Sequence, residues 1–201
     1  MAFRNDQVSE KETEKILELA REALKVEGDF VEFGCYDGDT SLALASEIVS
    51  GRALLSSSNV FRPKLYLYDS FEGLPEKTNE DASEVGRDFV KGVLKVSRRD
   101  VKARFLRAGL PVPVIKKAWF SDLTDADVPE KIAFAFLDGD LYESIRDSLK
   151  LVEKHLVPGA IMVVHDYANP ALPGVAKAVD EWLLYKNLKT AFCQSMIVLY
   201  L

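Results

Sequence analysis

Cysteine and histidine are scarce in this chain: its 201 residues contain two of each. Structural zinc sites and disulfide frameworks need several such residues at recognisable spacing. Cys35 and Cys193, far apart and set in apolar runs, therefore read as buried free thiols. No apolar run approaches the ~20 residues of a helix that crosses a bilayer, so no membrane partner is expected. Basic residues are not in excess. With 26 Lys and Arg against 32 Asp and Glu, the net charge is −6, the opposite of the basic face that nucleic acid demands. The opening MAFRNDQVSEKETEK is too charged for a secretory signal, and a cytoplasmic location is the expectation. No repeat or low-complexity segment occurs.

What the chain does hold is an ordinary globular composition, 48% hydrophobic and 29% charged. A chain of this length buries roughly 70% of its unfolded surface, enough for one domain over residues 1–201. Ser9 with Glu12 forms a capping box, and Ile16, Leu17, Ala20, Ala23 and Leu24 follow at helical spacing. Residues 1–27 are thus expected to form an N-terminal helical appendage.

Strands are expected at Asp29–Gly34, Leu65–Tyr68, Val112–Lys116, Ile132–Leu137, Ala160–Val164, Lys189–Cys193 and Met196–Leu201. Helices are expected at Thr40–Val49, Tyr142–His155 and Val175–Tyr185, with a helix-prone stretch over 80–108 and loops at 51–63 and Pro158–Gly159. Strands alternating with helices imply a doubly wound, Rossmann-like α/β fold. Its seven-stranded sheet is mostly parallel and covered on both faces. The last two strands, separated by Gln194 and Ser195 alone, must pair antiparallel. Ligands of such sheets bind beyond the carboxyl ends of the strands, which puts residues 32–39, 69–75, 119–122, 138–142 and 165–167 on one rim.

Three constellations on that rim carry chemistry. Gly34 and Gly38 open a strand–helix turn that brings backbone close to a ligand. Their G-x-x-x-G spacing departs from the G-x-G-x-x-G of nicotinamide dinucleotide sites and disfavours an oxidoreductase. Asp69 ends the second strand, where a carboxylate can accept from both ribose hydroxyls of a nucleoside cofactor. Phe71, Trp119 and Phe120 offer flat apolar surface for an adenine. Asp138 and Asp140 follow the strand IAFAFL, and His165 and Asp166 follow IMVV. Such oxygen and imidazole groups on separate strands suit a divalent cation, which would lower the pKa of an acceptor hydroxyl. The same acids also suit helix caps and loop braces. His165 fits a base, a metal ligand or a hydrogen-bonded core residue, whereas His155 at a helix end reads as structural.

VEFGCYDGDTS, YDSFEGLPE, KAWFSD, FLDGDLYESIRDSL and VVHDY followed by AVDEW resemble, in order and spacing, the macrocin O-methyltransferase family. The resemblance runs from about Gly28 to Trp182. It implies a single class I methyltransferase domain that uses S-adenosylmethionine, with Mg²⁺ as a candidate assisting ion, to methylate a hydroxyl of a sugar or natural-product-like small molecule. It further implies that Glu32, Gly34 and Asp69 hold the methionine moiety and ribose, that Trp119 and Ser121 lie beside the adenine, and that Asp138 and Asp166 are metal ligands. Tyr36, Asp37, Thr40, Ser41, Ser70, Phe71, Phe120 and Asp138 complete the expected cofactor site. Asp138 and His165 are the expected catalytic residues, and His165 joins the metal set.

Two departures stand out. The family commonly carries two aspartates before the tyrosine, where this chain has His165-Asp166, a less anionic pair. The chain is also shorter than the macrolide enzymes and leaves no segment for a large acceptor lid, so the macrolide acceptor does not carry over. An N-methyltransferase of the same fold and a non-catalytic S-adenosylmethionine-binding module are the alternative readings. A homodimer is compatible with the sequence.

Overall fold

The computed structural model describes residues 7–54 and 61–201. At its centre lies β4 (Ile132–Leu137, IAFAFL), buried at every position, as an unbroken apolar run requires when both faces of a sheet are covered. Flanking it are β1 (Asp29–Phe33) and β5 (Leu156–Val164), with β2 (Leu65–Asp69) and β3 (Val114–Lys117) beyond β1. On the other side β7 (Met196–Tyr200) follows β5, and β6 (Lys189–Cys193) is the edge. The spatial order is β3-β2-β1-β4-β5-β7-β6. β7 alone runs against its neighbours, because Gln194 and Ser195 leave no room for a crossover.

Alternate residues of each strand feed opposite cores. Phe30, Phe134 and Phe136 pack with α1 (Glu10–Ala23), α2 (Asp39–Leu54) and α3 (Arg98–Ala108). Val31, Phe33, Ala135 and Leu137 pack with α4 (Tyr142–Val152) and α5 (Pro173–Leu183). The chain winds outward from β1 to β3, then returns to β4. The switch point between β1 and β4 is where an open α/β sheet splits to admit a ligand.

Several expected boundaries move. Over 80–108 only Arg98–Ala108 is α-helix, entered through Ser97, whose hydroxyl accepts from Arg99 N–H, and ended by Gly109 in the left-handed region. The preceding segment instead wraps back on β2. A β-carbon on Gly73 would lie 2.5 Å from the carbonyl oxygens of Gly92 and Val93, so the two backbones touch. Pro158–Gly159 is not a free turn but a register shift inside β5, between the pairs Ile132–Leu156 and Phe134–Ile161. Residues 51–54, expected as loop, continue α2, and 55–60 of that loop lie outside the described residues. Cys35 is buried as expected, whereas Cys193, on the edge strand, is only half-buried; neither is in a disulfide. No described helix is long and apolar enough to cross a membrane.

One long-range cap fixes the mouth of the sheet. Asp81 is fully buried, and its Oδ1 accepts from Tyr142 N–H at 2.7 Å, the first residue of α4. Its Oδ2 accepts from the N–H and hydroxyl of Thr78, both at 2.9 Å. Asp81→Ala is expected to cost about 2 kcal/mol, as loss of a cap plus buried donors left unpaired. A fall in the urea midpoint with unchanged slope checks it; an unmoved midpoint refutes the cap.

Candidate active site

The turn after β1 is shaped by what it must touch. Gly34 has φ +86°, and a β-carbon there would sit 1.9 Å from the carbonyl oxygen of Asp138. Only glycine lets β1 and β4 end so close together. The same turn is laced to β2 through Asp69. Its Oδ2 accepts from Cys35 N–H at 3.0 Å and Tyr36 N–H at 3.2 Å, and its Oδ1 from Phe71 N–H at 2.7 Å. Burial pushes the Asp69 carboxyl up, against these backbone donors. From α3, Arg104 donates to the Asp37 carbonyl at 2.7 Å and pairs with the carboxylates of Asp37 and Asp39. That clamp holds the turn from outside.

Acids gather where β4 and β5 end. Asp138 N–H donates to Phe33 carbonyl oxygen and His165 N–H to that of Leu137, which puts the three strand ends in step. His165 Nδ1 lies 3.1 Å from Asp138 Oδ1 and 3.0 Å from Asp166 Oδ2. One ligand atom from each residue falls within 4.8 Å of the others. Asn169 donates to Asp166 Oδ1 at 2.8 Å. Behind the ring, Glu12 of α1 stands 3.6 Å from Nε2, an ion-pair distance longer than a hydrogen bond.

Burial pulls the His165 imidazole down, but the Asp138 charge and the contacts with Asp138, Asp166 and Glu12 carry it well above the ordinary histidine range. Burial also raises Asp138, with His165 opposing. Asp140 is pushed well up by burial and by the Asp138 and Asp166 charges. Both aspartates meet solvent only in part. Asp140 and Asp166 hold φ of +60° and +59°, backbone strain of the kind that gathers at functional sites.

Glu32 sits one layer deeper. It is buried in β1 and accepts from the Ser41 hydroxyl at 2.5 Å. Burial lifts its carboxyl to about 8, with Ser41 opposing and the charges of Asp138, Asp69 and Asp37 adding. The folded state thus holds this proton more tightly than the unfolded chain, whose value is near 4.5. Its contribution to stability is full below pH 4.5 and is lost as pH climbs to about 8. Glu32→Gln is expected to keep the fold at neutral pH and to flatten the decline of melting temperature across that window. A variant with the wild-type slope would place the titration elsewhere.

These pieces line one open cleft. All five expected rim segments reach it. Gly34, Tyr36, Asp69, Ser70, Trp119, Phe120, Asp138, His165 and Asp166 line its wall. Glu32, Thr40 and Ser41 lie buried behind the turn, and Asp37 turns to Arg104. Ser121 is exposed and off the wall, which corrects its expected place beside an adenine. Phe71 is corrected too: with φ +54° its ring enters the core at 3% exposure, so it offers no adenine surface. Sequence reasoning named neither Phe89 nor Leu94, wall residues from the segment before α3, whereas Asp140, expected among the acids at the mouth, does line the cleft.

The sequence profile of the family described as Macrocin-O-methyltransferase matches residues 9–195. The 8-demethyl-8-(2,3-dimethoxy-alpha-L-rhamnosyl)-tetracenomycin-C 4'-O-methyltransferase of Streptomyces olivaceus is 34% identical over 152 residues, 73% of this chain and 55% of that protein. The chain spans 55 to 61% of the length of the three curated relatives it matches. Among solved structures, the O-methyltransferase NovP superposes with a TM-score of 0.78 at 24% identity, over 94% of this chain and 79% of that one. TomG from Streptomyces achromogenes, an O-methyltransferase of tomaymycin synthesis solved with S-adenosylmethionine, superposes at 0.60 with 18% identity, over 96% and 80%. These likenesses match the seven-stranded fold described above.

Proposed function

The chain belongs to the macrocin O-methyltransferase family, and from that premise we infer that it transfers a methyl group from S-adenosylmethionine to a hydroxyl of a small, sugar- or natural-product-like acceptor. One observation carries the reading: a wall that holds Asp69, Trp119 and Phe120 and a cluster of acids share a single cleft. Gly34, Tyr36 and Asp69 take the methionine and ribose end, while Trp119 and Phe120 flank the adenine. Asp138, His165 and Asp166 face the sulfonium and the acceptor.

Little covalent work falls to the protein, because the sulfonium already activates the carbon. The acceptor oxygen forms a bond to that carbon as the carbon–sulfur bond breaks, and S-adenosylhomocysteine departs neutral. What the chain supplies is alignment and a place for the hydroxyl proton. Asp140 suits that role: it lines the cleft and, among the described residues, makes no hydrogen bond. Asp138 and His165 hold the acceptor oxygen in line.

The donor set of Asp138, His165 and Asp166, two carboxylates and an imidazole converging from two strand ends, fits a divalent cation. Bound there, a cation would act as a Lewis acid on the acceptor hydroxyl.

Calorimetric titration with S-adenosylhomocysteine, then turnover of labelled S-adenosylmethionine against a panel of sugar-bearing acceptors, tests the reading. Binding and transfer to oxygen are expected. Absence of binding overturns the reading, and transfer to nitrogen alone replaces its acceptor.

A further inference from the structure

Buried charge around His165 does not balance. Asp138 and Asp166 approach its Nδ1, Glu12 approaches its Nε2, and Asp140 lines the same cleft. Among the described residues no lysine or arginine lines that cleft. The single positive charge that His165 can carry stands among four acids, and burying carboxylates without countercharge is costly. Such a cup calls for a cation.

The two ring nitrogens have different surroundings. Nδ1 faces two carboxylate oxygens from separate strand ends. Nε2 is buried and, among the described residues, makes no hydrogen bond and faces Glu12. Glu12 cannot turn away. Its Oε1 accepts from the N–H and hydroxyl of Ser195 at 3.0 and 2.6 Å. Its Oε2 accepts from the N–H and hydroxyl of Ser9 at 3.1 and 2.8 Å. A neutral imidazole has one N–H. Without an ion, Nδ1 carries a hydrogen toward Asp138 and Asp166; an ion between them would displace it, and the hydrogen then left on Nε2 faces the pinned Glu12 carboxylate. This is the order carboxylate, histidine, metal that orients ligating imidazoles.

The geometry points to Glu12 as a positioning residue that makes His165 Nδ1 a nitrogen ligand, so that the cup selects a first-row transition ion over Mg²⁺. Mg²⁺ prefers an octahedron of oxygens, whereas imidazole suits softer ions such as cobalt, nickel and zinc. The inference rests on the methyl-transfer reading only in placing the ion beside an acceptor; ion binding is measurable by itself.

Co²⁺ serves as the probe, its visible spectrum reporting the ligand set, with Mg²⁺ as competitor. On the full chain Co²⁺ is expected to bind well ahead of Mg²⁺. Glu12→Gln should weaken Co²⁺ binding about 10- to 100-fold. His165→Asp should shrink the Co²⁺-to-Mg²⁺ affinity ratio about 10-fold or more. In the His165→Asp background Glu12→Gln should no longer alter Co²⁺ affinity, a loss of coupling that a purely structural glutamate would not show.

Equal affinity for the two ions, binding of neither, or a folded Glu12→Gln variant with unchanged Co²⁺ affinity overturns the inference. Should Glu12→Gln not fold, long-range proton–nitrogen NMR of the unaltered chain with Zn²⁺ decides. A proton on Nε2 of His165 supports the assignment and one on Nδ1 overturns it. Calorimetry with S-adenosylhomocysteine on the same samples separates the two readings: its failure sinks methyl transfer and leaves the ion result standing.

Discussion

Asp138→Asn is expected to slow methyl transfer about 10²- to 10⁴-fold while S-adenosylhomocysteine affinity keeps its order of magnitude. Asparagine preserves the volume, and the backbone N–H that donates to Phe33 is untouched, so β4 still ends in register with β1. What disappears is one carboxylate oxygen 3.1 Å from His165 Nδ1, and with it the anionic corner of the cup that faces the acceptor. The cofactor contacts proposed on the β1 and β2 side, from Gly34 to Ser70, lie outside that change. Single-turnover rates together with calorimetry separate the two effects. A variant that turns over at the wild-type rate would remove Asp138 from the chemistry.

Gly34→Ala should fail differently, through the scaffold. The added carbon meets the Asp138 carbonyl oxygen at 1.9 Å, and the residue must hold φ +86°. Left-handed backbone costs an L-residue about 1–2 kcal/mol, and overpacking adds about 1–3 kcal/mol. A total of about 2–5 kcal/mol is a large share of the roughly 5–15 kcal/mol that stabilises a domain. Melting should fall on the order of 10 °C, and S-adenosylhomocysteine binding should vanish, because β1 and β4 can no longer close on the turn. Retained binding with an unchanged melting temperature would show that the turn relaxes freely and that the close approach is unimportant.

The central strands were legible because their signal is local. IAFAFL has no polar residue to expose, and the 40 residues or so on either side alternate strand with helix. Strand ends carry their acids with them, so Asp69, Asp138 and Asp166 reached the rim as expected. Other features depend on partners far along the chain. The stretch before α3 has helix-prone composition, yet Gly73 lying against Gly92 draws it into a backbone-to-backbone contact that no periodicity announces. Phe71 looked like ligand surface because it follows a strand-end carboxylate; its positive φ sends it inward instead. Arg104 gave no hint of its pairing with Asp37 and Asp39, 67 and 65 positions away. Glu12 was readable as a capping residue from Ser9-x-x-Glu12 alone. Its reach to Ser195 and His165 was not, since it exists only once the first helix has met the final hairpin.

That meeting has a consequence for how the molecule comes apart. Ser195 sits between the last two strands, and its hydroxyl and amide are both held by a carboxylate from the first helix. The first helix and the final hairpin are stapled beside the acidic cup, so loosening of either is felt at the other. Removing the first helix would first loosen the hairpin, and the acidic cup would widen before the central strands noticed.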